Sequence, residues 1–195
     1  MSSEANPHRL DPKPVSASRT TITELMIPSY ANFGGKIHGG ILLSLMDKVA
    51  YACASRHAGT YCVTVSVDGV DFLQPAEVGD LVSLKASVNY VGRTSLVVGI
   101  RVEAENVERA EMRHTNTSYI TLVAKDEHGE PTPVPKLILE TDEDIRRFVT
   151  AYERRQDRAR DREVMARYKD QFSIDDRARD VLAGARCLVE DALRS

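Results

Sequence analysis

The chain has 195 residues, 42% of them hydrophobic and 28% charged, which suits one globular domain with an appendage. Its 26 basic and 29 acidic side chains leave a net charge of −3, so no global field draws in a polyanion and no nucleic-acid partner is expected. The three cysteines (Cys53, Cys62 and Cys187) are scattered and match neither a disulfide framework nor a zinc motif, and the longest apolar run, at 41–46, is too short to span a bilayer. The start of the chain is polar and proline-bearing, without an apolar signal stretch, so the expected setting is the reduced cytoplasm with no membrane partner.

In chain order, residues 1–18 read as a flexible tail and 19–138 as the globular domain. Residues 21–27 and 61–72 read as strands. Val82, Leu84, Ala86, Val88 and Tyr90 alternate with Ser83, Lys85, Ser87 and Asn89, which predicts a half-buried strand. Leu96, Val98, Ile100, Val102 and Ala104 repeat the pattern, and the link Gly92-Arg93-Thr94 is short enough for a hairpin. Residues 115–125 give a fifth strand. The domain's one predicted helix covers 40–56, where Ile41, Leu42, Leu45, Met46, Val49, Ala50, Cys53 and Ala54 are apolar round most of the circumference. Such a helix is buried, which implies an α+β unit with an antiparallel sheet wrapped around it.

Pro131, Pro133 and Pro135 lead out of that unit. Residues 139–195 hold 13 bases and 14 acids, about half the charge of the chain, and read as a helical extension. Thr141 and Ser173, each followed three positions later by an acid, predict two helix starts. The first helix has an apolar face at Ile145, Phe148, Val149 and Tyr152, the second at Ile174, Ala178, Val181, Leu182, Ala185, Leu188, Val189 and Ala192.

Chemistry concentrates between Pro28 and Asp47. Gly39-Gly40 opens the buried helix, whose first amides lack intrahelical acceptors and can polarise a carbonyl; the pair also suits a tight loop needing positive φ. Asp47 lies two turns in, flanked by Met46 and Val49, where an ionised carboxylate is costly without a partner. Ser44, Asp47, Lys48, Tyr51 and Ser55 also form one stripe, so a polar face accounts for Asp47 equally well. Asn32 can orient a water or a carbonyl, or serve as a turn residue. His38 has no second acid–base residue at a telling spacing, His57 suits the helix C-terminus, and Cys53 reads as core.

At these positions the chain resembles the hotdog-fold acyl-CoA thioester hydrolases, the family of bacterial short-to-medium-chain acyl-CoA thioesterases and the animal brain-type cytosolic enzyme. The resemblance rests on Pro28…Ala31-Asn32, Gly39-Gly40…Met46-Asp47, Arg56-His57, Asp71-Phe72-Leu73-Gln74-Pro75, Val78-Gly79-Asp80 and Tyr90-Val91-Gly92-Arg93-Thr94-Ser95, in that order. It implies a hotdog fold and hydrolysis of acyl-CoA to free fatty acid and coenzyme A. In those terms Asp47 is the general base or nucleophile, Asn32 orients the water or carbonyl, and the Gly40 amide polarises the thioester. Gly39, Arg56, Gly92, Arg93, Thr94 and Ser95 are implied to hold coenzyme A, with no metal and no cofactor. The resemblance also implies that one site takes its asparagine and its aspartate from two hotdog units, hence a dimer or a trimer of dimers. The alternatives are a non-catalytic acyl-CoA sensor and a hotdog dehydratase; the latter wants a His–carboxylate pair that His38 does not supply.

Overall fold

The computed structural model describes residues 9–189. The chain is ordered earlier than the expected tail 1–18 allows. The strand β1 (Lys13–Pro14) pairs in parallel with β7 (Leu137–Ile138), and the single turn α1 (Val15–Ser18) follows. Val15 and Ser18 are buried, and the Ser18 hydroxyl accepts a hydrogen bond from the Val88 amide at 3.0 Å. That amide lies just past the end of its neighbouring strand, β2 (Thr20–Leu25), whose pairing with β4 (Leu81–Val91) stops at Thr20 opposite Ala86. A buried amide needs an acceptor, and α1 brings one.

Five strands make one antiparallel sheet in the order β2, β4 (Leu81–Val91), β5 (Ser95–Asn106), β6 (Glu111–Ala124), β3 (Cys62–Val67). The β4–β5 hairpin turns through Gly92, Arg93 and Thr94 as the sequence predicts. The strand expected over 115–125 begins four residues earlier, because β5 and β6 form a second long hairpin. The strand expected over 61–72 is shorter, ending at Val67.

The helix α2 (Gly39–Ala58) covers one face of this sheet. Leu42, Leu45, Met46, Val49, Ala50, Cys53 and Ala54 are buried on it, against the inward residues Val82, Leu84, Val88, Leu96, Val98, Ile100, Ile120 and Leu122. Each large apolar side chain so buried contributes roughly 1.5–3 kcal/mol. The helix ends at Gly59, where a φ of 66° gives the left-handed cap that glycine adopts without penalty. This is the helix-wrapped sheet of the hotdog fold.

The helices α3 (Asp142–Asp170) and α4 (Asp176–Gly184) follow. Thr141 caps α3 as expected: its hydroxyl accepts from the Asp144 amide at 3.1 Å, and the Asp144 carboxylate accepts from the Thr141 amide at 3.1 Å. The packed face of α3 differs from the predicted one. Asp144 and Ala151 are buried and Phe148 packs on Tyr90; Tyr152 touches Tyr90 while staying exposed, and Ile145 and Val149 are exposed. The first compact unit accordingly runs through Tyr152 rather than ending at 138, and a second begins at Glu153. In the second unit Asp175, not Ser173, caps α4 by accepting from the Ala178 amide at 2.9 Å. Val164, Met165, Tyr168, Phe172, Ile174, Val181 and Leu188 are exposed there. Of the apolar face expected on the second helix, Ala185 to Val189 lie beyond α4 and Ala192 lies outside the described residues.

Candidate active site

The approach to α2 is a tight loop that ends on the helix. Asn32 sits at its base: the Asn32 amide donates to the Lys36 carbonyl at 2.7 Å, and Oδ1 accepts from the Gly34 and Lys36 amides at 2.9 and 3.2 Å. The loop thus uses the oxygen of the exposed Asn32 side chain and leaves the Nδ2 donor without a partner among the described residues. Phe33, at the tip, is wholly exposed.

His38 is the N-cap of α2, and its Nδ1 accepts from the Gly40 amide at 2.9 Å. Neither Gly39 nor Gly40 has positive φ, so the tight-loop account of the pair does not hold. Gly40 matters instead for close approach, since a Cβ there would lie 3.0 Å from His38 Nδ1. Sequence reasoning gave His38 no role; as a capping side chain it sits on the amide that the family resemblance singles out.

Asp47 lies on the exposed, polar face of α2, in the same stripe as Ser44, Lys48 and Tyr51. Its Oδ1 accepts from the Thr64 hydroxyl of β3 at 2.6 Å, a charge-assisted bond that fixes the carboxylate. Thr64 was not among the sequence candidates: it is one of two hydroxyl residues in a strand of alternating character, and only the packing of β3 beside α2 brings it to Asp47. β3 is an edge strand, bonded on one side only to β6, and it exposes Val65 and Val67, with Tyr61 exposed just before it.

Gly40 and Asp47 are seven residues apart on one helix, so they share a face but stand ~10 Å apart along its axis. The coenzyme A candidates form a separate group. In the β4–β5 turn the Gly92 amide donates to the Ser95 carbonyl at 2.8 Å, while the carbonyls of Arg93 and Thr94 accept from Val134 and Ala124 at 3.0 and 2.9 Å. The turn is thus held by backbone, with the Arg93 side chain exposed. Arg56 is exposed near the end of α2 and its carbonyl accepts from Lys13 Nζ at 3.3 Å.

Titration follows burial. Cys53, wholly inside the core, has its thiol pushed up to about 12 by desolvation, which leaves it inert as a nucleophile. Burial also pushes the His57 pKa down, with its Nε2 bonded to the Pro135 carbonyl at 3.0 Å. Among the described residues no three His, Cys, Asp or Glu side chains cluster as metal ligands.

The chain is similar in sequence and fold to known proteins. The pattern of the thioesterase superfamily matches residues 34–111. Protein VdlD of Helicobacter pylori is 47% identical over 147 residues, 74% of this chain and 84% of its own. A solved apo-hexameric acyl-CoA thioesterase superposes with a TM-score of 0.75 at 40% identity, over 77% of this chain and 96% of that one. The acyl-CoA hydrolase of Staphylococcus aureus, solved with butyryl coenzyme A and coenzyme A, gives 0.72 at 32% identity, over 82% and 99%. Variants of that hydrolase have alanine at an asparagine, at an aspartate 15 positions later and at a threonine 17 positions after that. Asn32, Asp47 and Thr64 have the same spacing. The chain belongs to the thioesterase superfamily, among its hotdog-fold acyl-CoA thioester hydrolases.

Proposed function

We propose that the protein hydrolyses acyl-CoA thioesters to fatty acid and coenzyme A, at a site that two copies of the chain complete. The observation that carries this reading is the Asp47–Thr64 pair, a fixed carboxylate on the open face of the central helix beside an unpaired strand edge.

As general base, the Asp47 carboxylate takes a proton from water while the water oxygen attacks the thioester carbon. The carbonyl carries negative charge in the tetrahedral intermediate, and amide donors stabilise it. The C–S bond then breaks, and the thiolate leaves with the proton held by Asp47. As nucleophile, Asp47 attacks the carbon itself, the C–S bond breaks to expel the coenzyme A thiolate, and water cleaves the resulting anhydride to fatty acid and the free Asp47 carboxylate, its proton passing to the thiolate. Asn32 Nδ2 and the Gly40 amide supply the donors, the carbonyl replacing His38 Nδ1 on Gly40. The Arg93 guanidinium, with Gly92, Thr94 and Ser95, holds coenzyme A phosphates; Gly39 and Arg56 assist. Water and protein groups suffice, without metal or redox cofactor.

The ~10 Å between Gly40 and Asp47 favours a site in which one copy gives Asn32 and Gly40 and the other gives Asp47. The bare β3 edge and the exposed Phe33 beside Asn32 are surfaces that a second copy would cover. We read the assembly as a dimer, three of which make a hexamer like that of the hexameric relative. We place the reaction in the cytoplasm, where the three free thiols stay reduced.

Thiol release from acyl-CoAs of graded chain length, with wild type beside Asp47→Ala, tests the reading. Turnover by wild type and its loss in a folded variant support it. Tight acyl-CoA binding without turnover by wild type would make the protein a sensor instead.

A further inference from the structure

Asp80 is wholly buried, and nothing in the proposed chemistry uses it. Its Oδ2 accepts from Arg113 Nη2 of β6 at 2.5 Å and from the Glu77 amide at 2.8 Å. The end of the turn that carries it is tied to Met26, which donates to the Asp80 carbonyl at 2.9 Å and accepts from the Gly79 amide at 2.8 Å. Burying a carboxylate this deeply is costly unless a cation and further donors repay it, so the pair calls for a purpose beyond closing a turn.

The far side of that turn is the Asn32 loop. The Ile37 amide donates to the Ala76 carbonyl at 3.0 Å, Lys36 and Glu77 form an antiparallel bridge, and their side chains form an ion pair. Lys36 in turn holds Asn32 through its carbonyl and its amide, and Ile37 bridges Ala31. His38, the cap on Gly40, donates its amide to the Tyr30 carbonyl at 2.8 Å. Hydrogen bonds, with the covalent links between neighbouring residues of the loop, therefore join Arg113 on the sheet to both proposed carbonyl donors.

We infer that Arg113 and Asp80 are positioning residues for the hydrolysis, clamping the 76–80 turn so that the Asn32 loop and the α2 N-terminus stand in register for the thioester. The inference rests on the proposed roles of Asn32 and Gly40. A misplacement of about 1 Å in such groups can cost ~100-fold in rate. The effect falls on kcat, because the coenzyme A segment at 92–95 is held by other bonds.

Arg113→Lys keeps the cation and loses the planar fork; Asp80→Asn keeps an acceptor and loses the charge. Glu77→Gln, at a half-buried position, removes the ion pair of the last link without disturbing a wholly buried group. In each variant kcat, KM, the melting temperature and amide hydrogen exchange are read together. The expected result is exchange at residues 32–38 accelerated beyond any change in β4 and β5, and kcat down about ten- to a hundredfold with KM within about threefold. Glu77→Gln shifts both readings in the same direction by less. Wild-type exchange at 32–38 in all three variants would overturn the inference, as would acceleration spread evenly over β4, β5 and the loop. Asn32→Ala, measured alongside, separates the two ideas: if it retains full turnover, the role of Asn32 fails, while exchange still decides the clamp.

Discussion

Asp47 and Asp80 are carboxylates of one hotdog unit in opposite surroundings. Asp80 is sealed and bound by an arginine and a backbone amide; Asp47 is open to solvent and bound by one threonine hydroxyl. In the sealed group one oxygen is taken up by the fold and the other is shut away from water without a partner among the described residues. The open one is fixed in place yet still has lone pairs to offer a water or a carbonyl carbon. Burial alone would point to Asp80 as the site; geometry and reachability point to Asp47.

Exchanging each carboxylate for an amide breaks that contrast most strongly. Asp47→Asn is expected to lower kcat by about 10²–10⁴, with a melting temperature within about 1 °C of wild type. Asp80→Asn is expected to lower stability by ~3 kcal/mol through the arginine it leaves unpaired, a drop of roughly 6–12 °C. Activity assays and thermal melts on both variants check this. A similar loss of stability in both would return Asp47 to a structural role.

The second expectation concerns binding rather than chemistry. Arg93→Ala should raise KM for acyl-CoA about tenfold, ~1.4 kcal/mol, with kcat near wild type. Acyl-pantetheine, which lacks the nucleotide phosphates, should show no such change. Equal losses on the two substrates would make Arg93 part of the turn and nothing more.

The extension offers another contrast, since Leu42, Leu45, Met46 and Val49 of α2 are buried whereas Val164, Met165, Tyr168 and Val181 of the second unit are exposed. Truncation after Tyr152 removes only the second unit and should leave the per-site kcat within about tenfold. Truncation after Thr141 also strips Phe148, Ala151 and the buried Asp144, and should cost several kcal/mol of stability. A larger change in kcat than in stability after the shorter truncation would give the second unit a part in catalysis.

Buried His57 adds a smaller, pH-dependent effect. Desolvation lowers its folded-state pKa below the ordinary 6.5, and its Nδ1 has no partner. The unfolded chain takes up the proton first, so stability is full above about pH 6.5 and falls as pH drops toward the folded value, by at most ~1.4 kcal/mol per pH unit. Denaturation in buffers from pH 7.5 to 5 should show this slope, and His57→Gln should flatten it.

Much of this was legible in the sequence because the period-two runs of β4 and β5 and the apolar circumference of α2 are local patterns with one structural solution. Residues 13–18 were not, since a two-residue strand and one turn of helix have no periodicity to read. On α3 the apolar residues were visible but not which of them pack; Tyr90 selects Phe148 and Tyr152 over Ile145 and Val149. At the site, Asn32, Gly40 and Asp47 stood out through the family resemblance. Thr64 and the Asp80–Arg113 pair depend on which strands lie beside which loops, and no spacing encodes that.

The shared site is tested most directly by mixing. Asn32→Ala and Asp47→Ala, each inactive alone, are combined, exchanged between subunits and assayed for thiol release. A site built from Asn32 of one copy and Asp47 of another predicts that activity returns, at about a quarter of wild type for a random mixture in which half the dimers are mixed and each mixed dimer has one intact site of two. No recovery after verified exchange, or a light-scattering mass of a single chain, would contradict it.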